Sequence, residues 1–363
     1  MIAKRLVQQG HRVAILCNRY SGGKEEEVID GVQIMRIKGG LLRALRNFHY
    51  YYKHFRGIFD VVIEEAEGPA GPFFASLYVR EPLIILWHQR GKKIFLNQFP
   101  LPVALLLIIL DYIFALSVKG RFIVVPTLER ARELIALGID DEQIRIVNGG
   151  VELKEFVTSI HSCVKVDKPF FLVLNKIREY KCFHHAIYAF QKLLKKHPEC
   201  KLVIAGRRGS YSYETRLRDL VKKTGLSEKV YFFINISEEE KFWLLSNAHA
   251  LIVPSPVEGF SLVAVEANSV GTPVIASDGV PSEVVSHGIN GLIYPFGNID
   301  ALAETMMRLL EDENLRQQLS KNAHRLATRF TWDRSARAFG QVLTEAILDQ
   351  NRRAIKKLNR VKI

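Results

Sequence analysis

Short apolar runs alternate with longer amphipathic stretches along this chain, and they do so in two successive sets. That alternation restricts the fold to parallel α/β architectures, because a strand buried on both faces needs a crossover helix to cover it. In the first half the predicted strands are RVAILC, VQIMRI, DVVIEE, LIILW, FIVVP and IRIVN, separated by helical segments such as LLRALRNFHYYYKHF and TLERARELIALG. The second half repeats the plan with FFLVL, KLVIAG, VYFF, ALIVPS, TPVIAS and GLIYP. A chain of 363 residues is comfortable for two domains. The polar stretch HSCVKVDKP at 161–169 has no apolar periodicity and places the linker there. Domains are therefore expected over 1–163 and 164–330, followed by a helical segment at 331–363 that is free to pack back on the first domain. Two doubly wound domains with a cleft between them put ligands at the carboxyl ends of the strands.

Charge narrows the partners. With 51 Lys and Arg against 38 Asp and Glu, the net charge is +13, which suits nucleic acid, anionic lipid or phosphorylated small molecules. A hydrophobic content of 48% disfavours disorder. Cys17, Cys163, Cys182 and Cys200 stand far apart with no CxxC pair, so neither a zinc knuckle nor a disulfide framework is expected, and a reducing compartment is. The opening MIAKRLVQQGHRV reads as an amphipathic helix entering a strand rather than as a secretory signal. Leu101 to Val118 reaches the length of about 18 apolar residues that a membrane span needs. Pro102 and the central Asp111 argue against a span, since a mid-membrane charge costs several kcal/mol. A buried or membrane-grazing helix is expected instead.

The chemistry concentrates in the second half. In PSPVEGFSLVAVEANSVGTPVIAS, Glu258 and Glu266 are eight residues apart, close to two helical turns, so one helix face could carry both. A helix beginning just after Glu258 would offer free N–H groups to a diphosphate. A carboxylate deeper on that face can accept two hydroxyl hydrogen bonds, as a ribose diol requires. The bland alternative is a capping glutamate followed by a solvated one. Earlier, Lys176 and Lys181 follow the strand FFLVL on the loop before a helix, where cations can neutralise a diphosphate leaving group without metal. Loop lysines alone are ordinarily just solvated.

These residues resemble the glycosyltransferase family 4, or group 1, pattern. EGFSLVAVE fits that family's E-x7-E motif, with Ser261 where the family usually has glycine. The following segment resembles the family through Pro281, Glu283, Gly288, Asn290 and Gly291, and NKIREYKC matches the segment that supplies an Arg and a Lys to the phosphates. There Lys176 replaces the usual Arg, losing the bidentate fork but keeping the charge, and Cys182 replaces the usual Gly. The resemblance implies the GT-B fold: two Rossmann-like domains facing a cleft, with a C-terminal helix packing back on the N-terminal, acceptor-binding domain. It implies that Glu266 holds the nucleotide ribose, that Glu258 contacts the transferred sugar, and that the backbone of Gly259, Phe260, Ser261 and Leu262 meets the diphosphate. The GRRGSYS loop, with Gly206 and Arg207, is expected on the donor side. His88, after strand LIILW, matches a histidine at the family's inter-domain cleft, and Thr127 and Asn148 lie in motifs leading toward it.

The resemblance further implies transfer from a nucleoside-diphosphate sugar with retention at the anomeric carbon. No DxD-type motif stands in a phosphate-binding context, so neither a metal nor a cofactor is expected. The basic, aromatic stretch Arg43 to Arg56, with Lys92, Lys93 and the apolar helix at 101–118, could rest on an anionic membrane. That suits a glycan or lipid-linked acceptor of the cell envelope, polysaccharide biosynthesis, and a cytoplasmic protein peripheral to the inner face of the membrane. The family's first strand and glycine-rich loop precede the helix that MIAKRLVQQG resembles, and a truncated first domain is expected, its sheet lacking a central strand. Two rivals stand beside this reading: a non-catalytic GT-B partner or scaffold, and a basic nucleic-acid-binding protein, for which no signature is found. A sugar-nucleotide epimerase or a phosphorylase of the same architecture is a further alternative within the enzyme class.

Overall fold

The computed structural model describes residues 1–20, 22–40, 43–66, 74–153 and 166–361. They form two compact units, one from Met1–Asn148 with Trp332–Ile363 and the other from Gly149–Thr331. Of the linker expected at 161–169, residues 161–165 lie outside the described residues.

Unit 1 opens with α1 (Ile2–Gln8), β1 (Ala14–Asn18), β2 (Glu26–Ile29), β3 (Val32–Ile37), α2 (Arg43–His54), β4 (Val62–Ala66) and β5 (Leu83–Trp87). It continues through α3 (Lys92–Gln98), α4 (Leu101–Ser117), β6 (Phe122–Val125), α5 (Leu128–Ile135) and β7 (Ile144–Ile146). Its strands make two sheets: β1-β3-β2, with β2 antiparallel, and an all-parallel β4-β5-β6-β7. Among the described residues β1 pairs only with β3, and β4 only with β5. Ile15 on β1 and Ile63 on β4, each at an edge of its sheet, are 38% and 41% exposed.

Unit 2 runs β8 (Phe170–Leu174), α6 (Phe183–Leu193), β9 (Lys201–Gly206), α7 (Tyr211–Lys223), β10 (Val230–Ile234) and α8 (Glu238–Asn247). Then come β11 (Ala250–Val253), α9 (Leu262–Ser269), β12 (Val274–Ser277), β13 (Gly291–Tyr294), α10 (Ile299–Glu311) and α11 (Glu313–Ala327). The long α12 (Trp332–Val361) returns to unit 1, where Phe339, Val342 and Ala346 share a core with Leu6, Ile84, Val124 and Val147. The helix thus packs back on the N-terminal unit, as expected.

The unit 2 sheet is six-stranded and parallel, in the order β10-β9-β8-β11-β12-β13. Its central strands read as unbroken apolar runs because helices cover both faces. In β8, Phe171 and Val173 enter one core while Phe170, Leu172 and Leu174 enter the other, following the two-residue period of a strand. The order of the strands reverses between β8 and β11. In open α/β sheets a crevice opens there, at the carboxyl ends of the strands.

The apolar segment at 101–118 forms α4, a helix of 17 residues. Among the described residues no helix is long and apolar enough to cross a membrane. Ala104, Phe114 and Ala115 are buried against unit 1, while Leu105, Leu106, Ile109, Tyr112, Ile113 and Leu116 stay exposed. Asp111 is paired with Arg90 at 3.2 Å. Burial pushes its carboxyl up against the opposing pull of that guanidinium. On α2, Tyr51 is buried while Leu45, Phe48 and Tyr52 are exposed, with Arg56 stacked over the Tyr52 ring.

Candidate active site

Two loops meet at the reversal point of the unit 2 sheet: 175–181 after β8 and 254–261 after β11. The first is laid against the end of β9. There Gly206 has φ 137°, and a Cβ on it would stand 1.9 Å from the Asn175 carbonyl oxygen, so only glycine lets the two chains touch. Ile177 N–H donates to the Arg207 carbonyl at 2.9 Å, which fastens the loops together. Arg207 itself is exposed, and the neighbouring Arg208 is held by Glu214 at 2.7 Å. The first loop ends in a 3-10 turn, Glu179–Lys181, and in Cys182, whose left-handed backbone (φ 51°) starts α6.

The second loop is buried along 254–261. Glu258 N–H donates to the Gly279 carbonyl at 2.9 Å, and a Cβ on Gly279 would lie 2.3 Å from the Pro256 carbonyl oxygen. This close packing of the two turns fixes where Glu258 points. Its Oε1 accepts from Lys181 Nζ at 2.7 Å, with the two residues only 6% and 7% exposed. Burial alone would lower the Lys181 pKa, but Glu258, helped by Tyr180, holds it above the usual lysine range. The ammonium therefore stays charged inside the protein. A void between the loops is lined by Asn175, Lys181, Phe183 and Ser255.

The helix expected just after Glu258 begins later. α9 starts at Leu262, and Ser261 precedes it with φ 75° and ψ 71°. The left-handed residue at 261 bends the chain before the helix can begin. Glu258 therefore lies on the loop, and Glu266 sits on the helix, so the two carboxylates do not share one helical face. The same backbone angle explains why glycine suits position 261: a side chain there costs about 1–2 kcal/mol. The Ser261 hydroxyl is buried with no hydrogen-bond partner among the described residues. The first N–H groups of α9, at Leu262 and Val263, precede the first intrahelical bond, from Ala264 N–H to the Ser261 carbonyl. Phe260 packs edge-on against Phe330, and a Cβ on Gly149 would come within 2.8 Å of the Phe260 ring. Main chain is thus held at the helix mouth by packing rather than by a side-chain cap.

Glu266 Oε1 accepts from Lys241 Nζ at 2.8 Å, and Lys241 also reaches Glu238 at 2.8 Å. Burial would lower the Lys241 pKa, but Glu266 and Glu238 outweigh it and raise it. Lys241 was invisible to sequence reasoning, because a lysine on an amphipathic helix reads as solvated. Lys176 is exposed and makes no ion pair among the described residues; its stem lies beside Gly209. The nearby Arg178 was also missed, and its Nε is buried with no hydrogen-bond partner among the described residues. Beside this loop, burial and His184 push the His185 imidazole down to about 4. Burial pushes the Cys182 thiol up to about 11.

His88 belongs to unit 1, just past β5, where its Nε2 meets Glu65 Oε1 of β4 at 2.9 Å. That bond holds the Glu65 carboxyl below the usual carboxylate range. Thr127 caps α5 and Asn148 donates to the Pro126 carbonyl at 2.8 Å, so both perform local structural work. Gly291 is likewise a packing residue, since a Cβ there would lie 2.2 Å from the Val274 carbonyl oxygen. Asn290 closes its own turn through Ser286 and Val284.

Comparison with known proteins adds to this geometry. Residues 1–155 match the profile of Glycosyltransferase Family 4, and residues 161–326 that of Glycosyl transferases group 1. A D-inositol 3-phosphate glycosyltransferase of Streptomyces bingchenggensis is 30% identical over 241 residues, covering 62% of this chain and 53% of the relative. The chain thus spans about half the length of such curated relatives, and 19% of an exopolysaccharide phosphotransferase of Streptomyces coelicolor to which it is 35% identical. Sucrose-phosphate synthase of Thermosynechococcus elongatus superposes with a TM-score of 0.78 at 18% identity, over 96% of this chain and 92% of that one.

Proposed function

Because the chain belongs to the family 4, group 1 glycosyltransferases of GT-B fold, we propose that it moves a sugar from a nucleoside-diphosphate sugar to an acceptor hydroxyl. The observation that carries this reading is the buried Lys181–Glu258 pair at the reversal point of the unit 2 sheet. A buried ammonium kept charged by the carboxylate beside it is preorganised to meet negative charge developing on a departing diphosphate. The N–H groups opening α9 and the Ser261 hydroxyl add neutral donors at the same end of the sheet. Lys176 and Arg178 supply further positive charge to the phosphates, and the backbone of Gly259 to Leu262 lies against them. Gly206 and Arg207 line the donor side from β9. Glu266, oriented by Lys241, takes the ribose diol, and Glu258 contacts the transferred sugar. His88, with its ring held by Glu65, is proposed as a second catalytic group.

The sugar–phosphate bond breaks as the acceptor oxygen bonds to the same face of the anomeric carbon, and the acceptor proton leaves with the diphosphate. Retention follows from that geometry. Lysines and helix N–H groups stabilise the leaving group, so no metal ion enters the step. The anionic donor also suits a chain of net charge +13.

Thermal stability tests the donor assignment. A nucleotide or nucleotide sugar at 100 times its dissociation constant is expected to add about 2.7 kcal/mol to stability, in the absence of metal. The panel is UDP, GDP, ADP and their common sugar conjugates. A shift with one nucleotide family identifies the base. No shift with any of them, from a folded chain, points to the non-catalytic scaffold.

The acceptor is proposed to be a glycan or lipid-linked molecule of the cell envelope, met by a cytoplasmic enzyme at an anionic membrane surface. The exposed apolar side chains of α4 and the exposed Leu45, Phe48 and Tyr52 of the basic α2 support this reading. Vesicles containing phosphatidylglycerol are expected to sediment the protein, and purely zwitterionic ones are not. Leu106→Asp with Ile109→Asp is expected to reduce that binding by roughly tenfold or more, since each loses an inserted side chain. Sedimentation that ignores both lipid charge and these substitutions sinks the membrane reading.

A further inference from the structure

Beside the donor loop lies a side-chain cluster that sugar transfer leaves unused. Cys182, His184 and His185 each bring one ligand atom to a common point, with all three atoms within 4.8 Å of one another. We propose that these residues bind one thiophilic cation of the zinc class through Cys182 Sγ, His184 Nε2 and His185 Nδ1.

Three independent features converge on this site. The first is backbone. Cys182 holds φ 51°, a left-handed conformation that costs a residue with a side chain about 1–2 kcal/mol and glycine almost nothing. The thiol makes only a long contact with the Tyr180 carbonyl, at 3.7 Å, which does not offset that strain. That conformation places Cys182 at the N-cap of α6, where its carbonyl accepts from the His185 N–H at 3.0 Å and holds the two residues together.

The second feature is orientation. His184 Nδ1 is engaged by the hydroxyl of buried Tyr213 at 3.0 Å, which fixes the ring and directs Nε2 elsewhere. A hydrogen-bonded far nitrogen is the usual second support of a metal-ligating imidazole. The third is an unmet need: His185 Nδ1 is buried without any hydrogen-bond partner among the described residues. A buried ring nitrogen left alone loses its solvation with nothing in return. A cation restores it.

One sulfur and two imidazole nitrogens select zinc or another soft cation over magnesium or calcium, which take oxygen ligands. Tetrahedral zinc, with bonds of about 2.0–2.3 Å, draws its ligand atoms to about 3.5 Å from each other. Closure from 4.8 Å needs only side-chain rotation of about 1 Å. Three protein ligands leave a fourth position for water. The Cys–Cys spacing rule could not find this site, because its ligands follow the pattern Cys-x-His-His.

The test is a cobalt titration of the tag-free full chain, stripped with chelator and kept reduced. One Co²⁺ per chain is expected, with a thiolate-to-cobalt charge-transfer band and the intense visible bands of a tetrahedral site, both abolished by one equivalent of Zn²⁺. Cys182→Gly is expected to remove the charge-transfer band while raising thermal stability, because glycine is at ease in this backbone. His185→Gln is expected to weaken cobalt binding at least tenfold. A charge-transfer band that survives in Cys182→Gly, or cobalt binding without one in the unaltered chain, overturns the proposal. Cobalt affinity unchanged by His185→Gln overturns it as well. None of these readouts depends on sugar transfer.

Discussion

Lys181→Ala is expected to lower kcat/KM for sugar transfer by about 10²–10³, the loss that follows removal of one preorganised charge-stabilising group. It is also expected to destabilise unit 2 by about 3–5 kcal/mol, because it strands a buried carboxylate. Glu258 is 6% exposed, and its 2.7 Å bond to Nζ is what keeps a charge tolerable at that depth. A drop in activity could then reflect misfolding rather than lost chemistry. The double substitution Lys181→Ala with Glu258→Ala separates the two effects. Removing both charges eliminates the stranded carboxylate, so thermal stability is expected to recover most of the loss while transfer does not. If the double variant regains transfer along with stability, the pair is only a structural element of the loop and the leaving-group role fails. Lys181→Arg is a further control. It keeps the charge but places a larger planar group in a tight site, and it is expected to retain more activity than alanine.

The twelve strands expected from apolar runs are all present, because burial on both sides writes itself directly into composition. β2, Glu26–Ile29, escaped that reading: it has only four residues, two of them glutamate, and depends on antiparallel pairing with β3. Strand order was not legible residue by residue, but two runs of alternating strand and helix sufficed for the architecture. The site divides differently. Glu258, Glu266, Lys176 and Lys181 could be named from the resemblance, yet not their partners. The Lys181–Glu258 bond spans 77 positions and no local period encodes it. Lys241 and Arg178 were missed because a basic side chain reads as solvated until its burial is known. The start of α9 was placed too early, just after Glu258 rather than at Leu262. Only the backbone angle at Ser261 shows the left-handed turn that delays the helix. Cys182 conceals its conformation in the same way, since no sequence rule expects a cysteine with φ of 51°.

Glu266→Ala is expected to weaken nucleotide binding by about 10²–10⁴, the equivalent of two charge-assisted hydrogen bonds of about 1.5–3 kcal/mol each. The fold is expected to survive. Lys241 keeps its 2.8 Å contact with Glu238, so the substitution does not strand its charge. Lost binding can therefore be read without a large correction for stability. A second ligand isolates the ribose. A carboxylate can accept both hydroxyls of a diol, and with Lys241 on Oε1 it is held in one orientation to do so. The unaltered protein is expected to bind a 2′-deoxy nucleoside diphosphate at least tenfold more weakly than its ribose counterpart, since a missing hydroxyl leaves a charged acceptor without its donor. In Glu266→Ala that discrimination is expected to vanish. Calorimetric titration of both nucleotides into both proteins completes a thermodynamic cycle whose coupling energy belongs to the Glu266–ribose contact alone. Equal affinity for the nucleotide in the variant and the unaltered chain would sink the ribose assignment. So would discrimination between ribose and deoxyribose that persists after the carboxylate is gone, because some other group must then read the hydroxyl.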